Sequence, residues 1–391
     1  MKIFKDLVDS FKVMAQLNRE CRLYFLGIIF NGISQGIFTV VFNLYILSMG
    51  ISTETLGLIL SVAPFAQMLG SIPVGVLMER IGYKKTFILV YGISGVARLL
   101  QVATPSVPLI AFAAFAGGLA QSGDFVVRLP FLSANTTAEQ RTHVFSLSAI
   151  MFSTTIALGS LLAGYVPTFF QWLGMGETMG YQLLLLLACG LSLLGAMPLL
   201  FLRATPTLVE EKKISLAPYL HGIDRFTVQQ AIISFFVGMA VGLTGPFMNI
   251  YFLFHLGASR EYFGVISALA IIPAILAVSI APVLGRKMGT VRAVTILRFI
   301  IPFFAINLAL TSLAWSGALS YWFMNALTNA SQPLSFAFAL LAARKSAKAA
   351  TAAWLNVTFW LGIAIVAPGN LQPGELEAAT EPVAGDAVSG G

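Results

Sequence analysis

Long uninterrupted apolar runs constrain this chain more than any other feature. About 20 apolar residues in a helix match the ~30 Å hydrocarbon core of a bilayer. Eleven such runs can be drawn, at 23–49, 55–78, 86–104, 107–131, 143–168, 180–202, 228–256, 262–284, 292–314, 317–343 and 349–368. Hydrophobic residues make up 58% of the chain and charged ones only 10%, whereas soluble domains carry about 25% charge. A single soluble helical core would need far more polar surface. The expected fold class is therefore an all-α polytopic membrane protein with eleven transmembrane helices. Many runs contain Gly or Pro, which neighbouring helices make tolerable in lipid.

The net charge of +7 is a topology signal, not a nucleic-acid footprint. Of 23 Lys and Arg, 20 fall at the N-terminus and in or beside the even-numbered connections. The odd-numbered connections hold only Arg260, while Arg98 and Arg298 lie inside spans. The positive-inside rule then makes the N-terminus and the even connections cytoplasmic. Phe4, Leu7, Val8, Phe11 and Met14 recur at helical spacing, so residues 1–22 read as a cytoplasmic amphipathic helix on the membrane surface. They are not read as a cleaved signal, because the apolar run that follows is too long. Cys21 and Cys189 suggest neither a disulfide nor a metal site, and the three histidines are scattered. No Gly-rich phosphate loop and no nucleophile–base spacing is visible. Neither a cofactor, a metal nor an enzymatic reaction is expected.

The two halves repeat each other. Gly50-Ile51-Ser52-Thr53-Glu54-Thr55-Leu56-Gly57 matches Gly257-Ala258-Ser259-Arg260-Glu261-Tyr262-Phe263-Gly264 at an offset of 207 residues. Asn43-Leu44-Tyr45 matches Asn249-Ile250-Tyr251 at 206, and Gly82 falls on Gly289 at 207. Ser52 and Ser259 are good N-caps, with Glu54 and Glu261 in the first turn where the helix dipole favours an acid. Such a repeat is the mark of transporters built from two related bundles. The expected organisation is a six-helix bundle over 23–203, a cytoplasmic linker over 204–227, a five-helix bundle over 228–368 and a disordered tail over 369–391. At the repeat offset the sixth span has no counterpart, so a twelfth helix is missing. A natural eleven-span variant and a truncated or non-transporting protein are both open at this point.

Between the second and third spans stands Gly75-Val76-Leu77-Met78-Glu79-Arg80-Ile81-Gly82-Tyr83-Lys84-Lys85. This resembles the signature loop of the major facilitator superfamily, with Glu79 in place of the usual Asp and Tyr83 in place of a usual Arg. Leu284-Gly285-Arg286-Lys287-Met288-Gly289 is a partial second copy where the repeat requires it. Gly75 permits close helix approach and Gly82 a tight turn. The resemblance implies two pseudo-symmetric bundles of the superfamily type. It also implies a loop in which Glu79 and Arg80, with Lys84 and Lys85 beside them, latch the bundles in the outward-facing state. In the family, spans one, four, seven and ten line the central cavity.

Ionisable residues inside a span are costly and therefore functional candidates. Asp124 lies about two turns, roughly 9 Å, from the cytoplasmic end of span four, with Gln121 and Arg128 on the same face. Two roles are open for it: proton carrier during transport, or permanent ion-pair partner of Arg128 or of the signature loop. Arg98 lies deep in span three as a buried pair or a snorkelling side chain, and Arg298 nearer the edge. Uncharged stripes mark candidate cavity walls: Asn31, Gln35 and Thr39 in span one, and Trp322, Asn325, Asn329 and Gln332 in span ten. Span seven offers Asn249 and a Gly245-Pro246 break. Amides cannot face lipid unsatisfied, so these face the substrate cavity or neighbouring helices.

The expected function is secondary active transport of a small molecule by alternating access, as proton-coupled efflux of an amphipathic compound. Amides and aromatics with few charges on the cavity faces favour that class of substrate. The resemblance to drug–proton exporters is partial, resting on Gly159 and Gly164 in span five. Uptake of a small polar nutrient such as a sugar is the alternative. The expected setting is the inner (plasma) membrane, as a monomer among lipids, with a small-molecule substrate and possible H+ as partners.

Overall fold

The computed structural model describes residues 17–203, 223–344 and 348–367. Among these residues the chain is helical, with no strand. Most of the surface helix and linker expected from the sequence, and the tail, lie outside the described residues.

The first helix, α1 (Arg19–Ser48), starts earlier than the apolar run, because the Asn18 side chain accepts the Cys21 amide at 2.8 Å. Residues 19–22 thus belong to the first span rather than to a separate surface helix. The next helix, α2 (Thr53–Ala103), carries the second and third runs and breaks at Gly82, where φ is 77°. There follow α3 (Val107–Ala134), α4 (Ala138–Trp172) and α5 (Glu177–Leu200).

The second half opens with α6 (Arg225–Thr244), capped by Asp224, so the expected linker ends before residue 224. Gly245 and Pro246 interrupt this span. It resumes as the short α7 (Met248–Ile250) and a π-helical turn over Tyr251–His255. Then come α8 (Arg260–Leu269), α9 (Ile271–Met288), α10 (Thr290–Leu310), α11 (Ala314–Ala342) and α12 (Lys348–Val366). Eight helical stretches among the described residues are long and apolar enough to cross a membrane. Neither α11, which carries the amide stripe, nor α12, whose apolar part is Thr351–Val366, is one of them. The number of crossings remains an expectation from the sequence.

The repeat in the sequence is a repeat in space. Gly82 and Gly289 both take positive φ, 77° and 86°, a region L side chains rarely adopt. Ser52 accepts the Thr55 amide as Ser259 accepts that of Tyr262, at 3.3 and 3.2 Å. The Tyr45 hydroxyl donates to the Val102 carbonyl as that of Tyr251 donates to Leu308. The two donors are 206 residues apart in the chain, and so are the two acceptors. Glycine contacts tie α1 to α4 and α6 to α12: a Cβ on Gly36 would sit 2.1 Å from the Ile156 carbonyl, and one on Gly238 2.0 Å from that of Phe359. The close approach expected at Gly75 is made elsewhere. A Cβ there would meet Val126 at an ordinary 3.4 Å, whereas one on Gly118 would lie 2.3 Å from the Ala63 carbonyl.

The buried core divides in a telling way. One apolar cluster runs through both halves, from Val40, Tyr45 and Leu56 to Phe252, Phe263 and Leu308. A second lies wholly in the first half around Tyr24, Phe87 and Phe131, and a third, smaller one in the second half around Ala281, Leu297 and Ala330. The halves share a core at one end and keep separate cores at the end that carries the signature loop. Large apolar side chains such as Leu310, Leu341 and Phe299 cover the outer surface, where lipid is the solvent.

Candidate substrate site between the halves

At the shared end, polar side chains bolt the halves together. The Asn43 amide donates to the Asn249 side-chain oxygen at 3.0 Å and to the Pro246 carbonyl at 2.6 Å. In return Asn249 donates to the Val40 carbonyl at 2.9 Å and its oxygen accepts the Ile250 amide. These are the two asparagines that the repeat matches, so equivalent residues meet across the pseudo-symmetry axis. Asn249, expected in the cavity wall, is 2% exposed and fully engaged in this seal. The reason is that Asn43 and the Val40 carbonyl of the first half take up its side-chain oxygen and amide. Toward the rim, Arg260 bonds Glu177 and the Thr168 hydroxyl bonds Glu261. A cleft of about 650 Å³, lined by Leu47, Gln171, Tyr181, Leu253 and Phe254 among others, opens beside these pairs.

Thr39 and Gln35 lie one and two turns along α1 from Asn43, on the side of the helix turned toward the second half. There the halves have parted: Thr39 is exposed and bonds only its own helix, at the Gln35 carbonyl. Behind this stripe a polar network crosses three helices of the first half. Gln67 donates to Gln121 at 3.2 Å, and Gln121 to the Gln35 side-chain oxygen at 3.4 Å. Arg98 donates to the same Gln35 oxygen and, at 2.6 Å, to the Ser34 hydroxyl. Its guanidinium lies 5.2 Å from the centre of the Phe38 ring. Arg98 therefore turns inward and does not snorkel. Asn31 is half-buried on the same helix.

Two turns nearer the split end, Arg128 pairs with Asp124, which also accepts the Tyr91 hydroxyl at 3.1 Å. Both side chains of the pair are largely buried, and the Arg128 guanidinium also lies 5.0 Å from the Phe152 ring centre. Reading the sequence alone misses Ser34, Gln67, Tyr91 and Asn43. Asn43 carried a signal, its place in the repeat, but one hydroxyl or amide in an apolar span is not distinctive.

The second half is plainer. The Trp322 indole donates to the Ile266 carbonyl at 2.8 Å, and Asn329 donates to Asn325 on its own helix. Asn329 is exposed and Gln332 half-buried. Arg298 has a buried Nε with no hydrogen-bond partner among the described residues. Glu79, Arg80 and Lys85 of the signature loop are exposed, Lys84 half-buried, and none pairs with another described residue. Among the described residues no group of three His, Cys, Asp or Glu could hold a metal.

Comparison with known proteins agrees with this architecture. Among solved structures, the nucleoside transporter NupG is similar with a TM-score of 0.71 and 11% identity, over 90% of each chain. A bacterial homolog of the human lysosomal transporter Spinster, inward-facing and unoccupied, has a TM-score of 0.68 and 15% identity, over 89% of this chain and 80% of that one. A D-xylose–proton symporter has a TM-score of 0.64 and 15% identity, over 90% and 88%. At such identities the likeness concerns the fold. No curated protein matches the sequence. The model of the Major Facilitator Superfamily, however, matches residues 24–367, nearly the whole described chain, and the chain belongs to that family of multi-pass membrane transporters.

Proposed function

We propose that this transporter exports an amphipathic small molecule by alternating access, in exchange for protons. The observation that carries the alternating-access part is the divided core. A shared cluster and the Asn43–Asn249 bolt close one end, while separate clusters and an unlatched signature loop leave the other end open. By the positive-inside rule the open end is cytoplasmic, which makes this the state that loads substrate from inside the cell. In the opposite state Glu79 and Arg80 would find partners across the closed cytoplasmic end.

Amphipathic cargo is supported by the wall itself. Amides stand beside Phe38 and Trp322, and a cation has aromatic cover, so an apolar body and a polar group can both be received. Proton exchange is assigned to the Asp124–Arg128 pair. When the Arg128 side chain, one turn along the same helix, swings off Asp124 during the transport cycle, a proton replaces the guanidinium on the buried carboxylate. Uptake of a polar nutrient is the second reading, favoured by the fold likeness to a nucleoside transporter and a D-xylose–proton symporter.

Inside-out vesicles with an imposed proton gradient test both readings. Amphipathic compounds are expected to collapse the gradient in wild type and not in Asp124→Asn at equal insertion. Collapse in both proteins keeps exchange and reduces Asp124 to a structural partner. Collapse by sugars or nucleosides alone replaces export by the second reading. Breaking a buried pair costs about 3–5 kcal/mol, so Asp124→Asn is also expected to melt well below wild type.

A further inference from the structure

The first half holds a cation that the proposed mechanism does not use. Arg98 is directed into the interior at mid-helix, where its donors meet only neutral acceptors, Ser34 Oγ and Gln35 Oε1. Ser34 is fully buried. No carboxylate pairs with Arg98 among the described residues. The one acid well inside the spans, Asp124, is taken by Arg128, one turn along the same helix. A buried charge is normally paired, because two neutral dipoles do not replace its hydration. Arginine also carries five donors in a planar fork, more than these two bonds use.

The repeat sharpens the point. The position 206 residues beyond Arg98 is Phe304, stacked on Phe323 at 4.8 Å. Those beyond Ser34 and Gln35 are Ala240 and Val241, and Ala274 lies 207 beyond Gln67. The same bundle thus packs without any of this network. A guanidinium is not needed to hold the helices, yet the first half keeps one beside the face that opens between the halves. Phe38, under the guanidinium, stacks on Phe42 at 5.8 Å and continues the wall with an apolar surface.

From this juxtaposition we infer that Arg98 receives the acidic group of the substrate, so that the cargo is an amphipathic organic monoanion, a carboxylate or sulfonate on an apolar body. The inference rests on the proposed amphipathic cargo and adds its charge. A carboxylate forks onto Arg98 bidentately, Gln35 and Gln121 turn their amide donors to it, and Phe38, backed by the buried Phe42, takes the apolar body. With one fixed cation and no second within the network, a dianion is poorly matched.

The test is equilibrium binding of radiolabelled 2-naphthoate to the purified full-length protein at neutral pH, with 2-naphthamide and 2-naphthylmethylammonium as competitors of the same shape. Wild type is expected to prefer the carboxylate over the amide by about tenfold or more, the worth of a bond to a charged group. In Arg98→Gln the carboxylate should fall to the affinity of the amide, which itself is unchanged. Arg98→Lys should keep part of the preference. Equal affinity of all three probes in wild type overturns the anion assignment and leaves the amphipathic cargo standing. A preference that survives in Arg98→Gln overturns the role of Arg98. Binding of none of the three overturns both readings. If Arg98→Gln does not fold, phenylglyoxal modification of wild type decides: naphthoate but not naphthamide should protect Arg98, and equal modification with either overturns the inference.

Discussion

The two halves of this transporter are built on one plan and finished differently. They share turn glycines, serine caps, tyrosine ties and glycine-packed helix pairs, each at an offset of 206 or 207 residues. They do not share polar interiors. Arg98, Gln121, Asp124 and Arg128 bind one another or their neighbours in the first half. At the repeat positions of Asp124 and Arg128 the second half has Ser331 and Ser335. What the halves hold in common is what folding needs, and on the proposed reading what one half adds serves transport. On that reading the first half grips the charged group of the cargo while the two halves rock about the seal at the axis.

The shared plan breaks most severely at the helix-pair glycines, and the two halves differ there in a predictable way. Gly32 and Gly238 are repeat equivalents, as are Gly36 and Gly242. A Cβ on Gly238 or Gly36 meets a backbone carbonyl at 2.0 or 2.1 Å, so helices must separate. One on Gly32 meets first the Thr155 hydroxyl at 1.9 Å, and one on Gly242 the Val366 methyl at 2.7 Å. Gly238→Ala and Gly36→Ala should each lose most of the monodisperse protein in size-exclusion chromatography, since overpacking costs about 1–3 kcal/mol or more. Gly32→Ala and Gly242→Ala should lose less. Gly190→Ala, where nothing lies within 4 Å, should gain about 0.5–1 kcal/mol. Equal losses at all four tight positions would mean that the two bundles relax alike.

The bolt comes next. Asn249→Ala removes three side-chain hydrogen bonds at the seal and Asn43→Ala two. Leaving buried partners unpaired costs about 1–3 kcal/mol, enough to shift the balance between the closed and open ends about tenfold. With a cysteine placed at Thr39, an impermeant thiol reagent applied from the sealed side should label Asn249→Ala faster than wild type. Asn43→Ala should follow at a smaller increase. The double variant should add little, because both singles break the same contact. Labelling that stays at the wild-type rate in all three would deny the pair its gating role.

This contrast also explains what could be read from the sequence. Apolar runs, charge alternation and the repeat depend on local composition, so the helical class and the two-bundle family were legible. The polar stripe at Gln35 and Thr39 was legible too, because helical spacing fixes a face. Its partners were not: Ser34 and Gln67 matter only through Arg98 and Gln121, which other helices bring within reach. For Asn249 the family resemblance implies a cavity-lining span seven, but it gives no depth of closure. Only its bonds to Asn43 and to the Val40 carbonyl, 206 and 209 residues away in the chain, show it as a bolt.

The smallest difference lies where each half begins. Asn18 caps α1 and Asp224 caps α6, 206 residues apart, each accepting the amide three residues on at 2.8 Å. One cap is neutral and the other is charged. The Thr227 amide and hydroxyl, with Arg344 at 4.0 Å, hold the Asp224 carboxyl below the usual aspartate range. A carboxyl depressed in the folded state stabilises fully above its unfolded pKa, about 3.9. That stabilisation is lost as the pH falls through the lower folded value. Asp224→Asn gives the second half the cap of the first. It should therefore melt slightly below wild type at neutral pH, and the gap should close on acidification as the aspartate takes up its proton. A gap of constant size at every pH would show that geometry alone, and not charge, distinguishes the two helix starts.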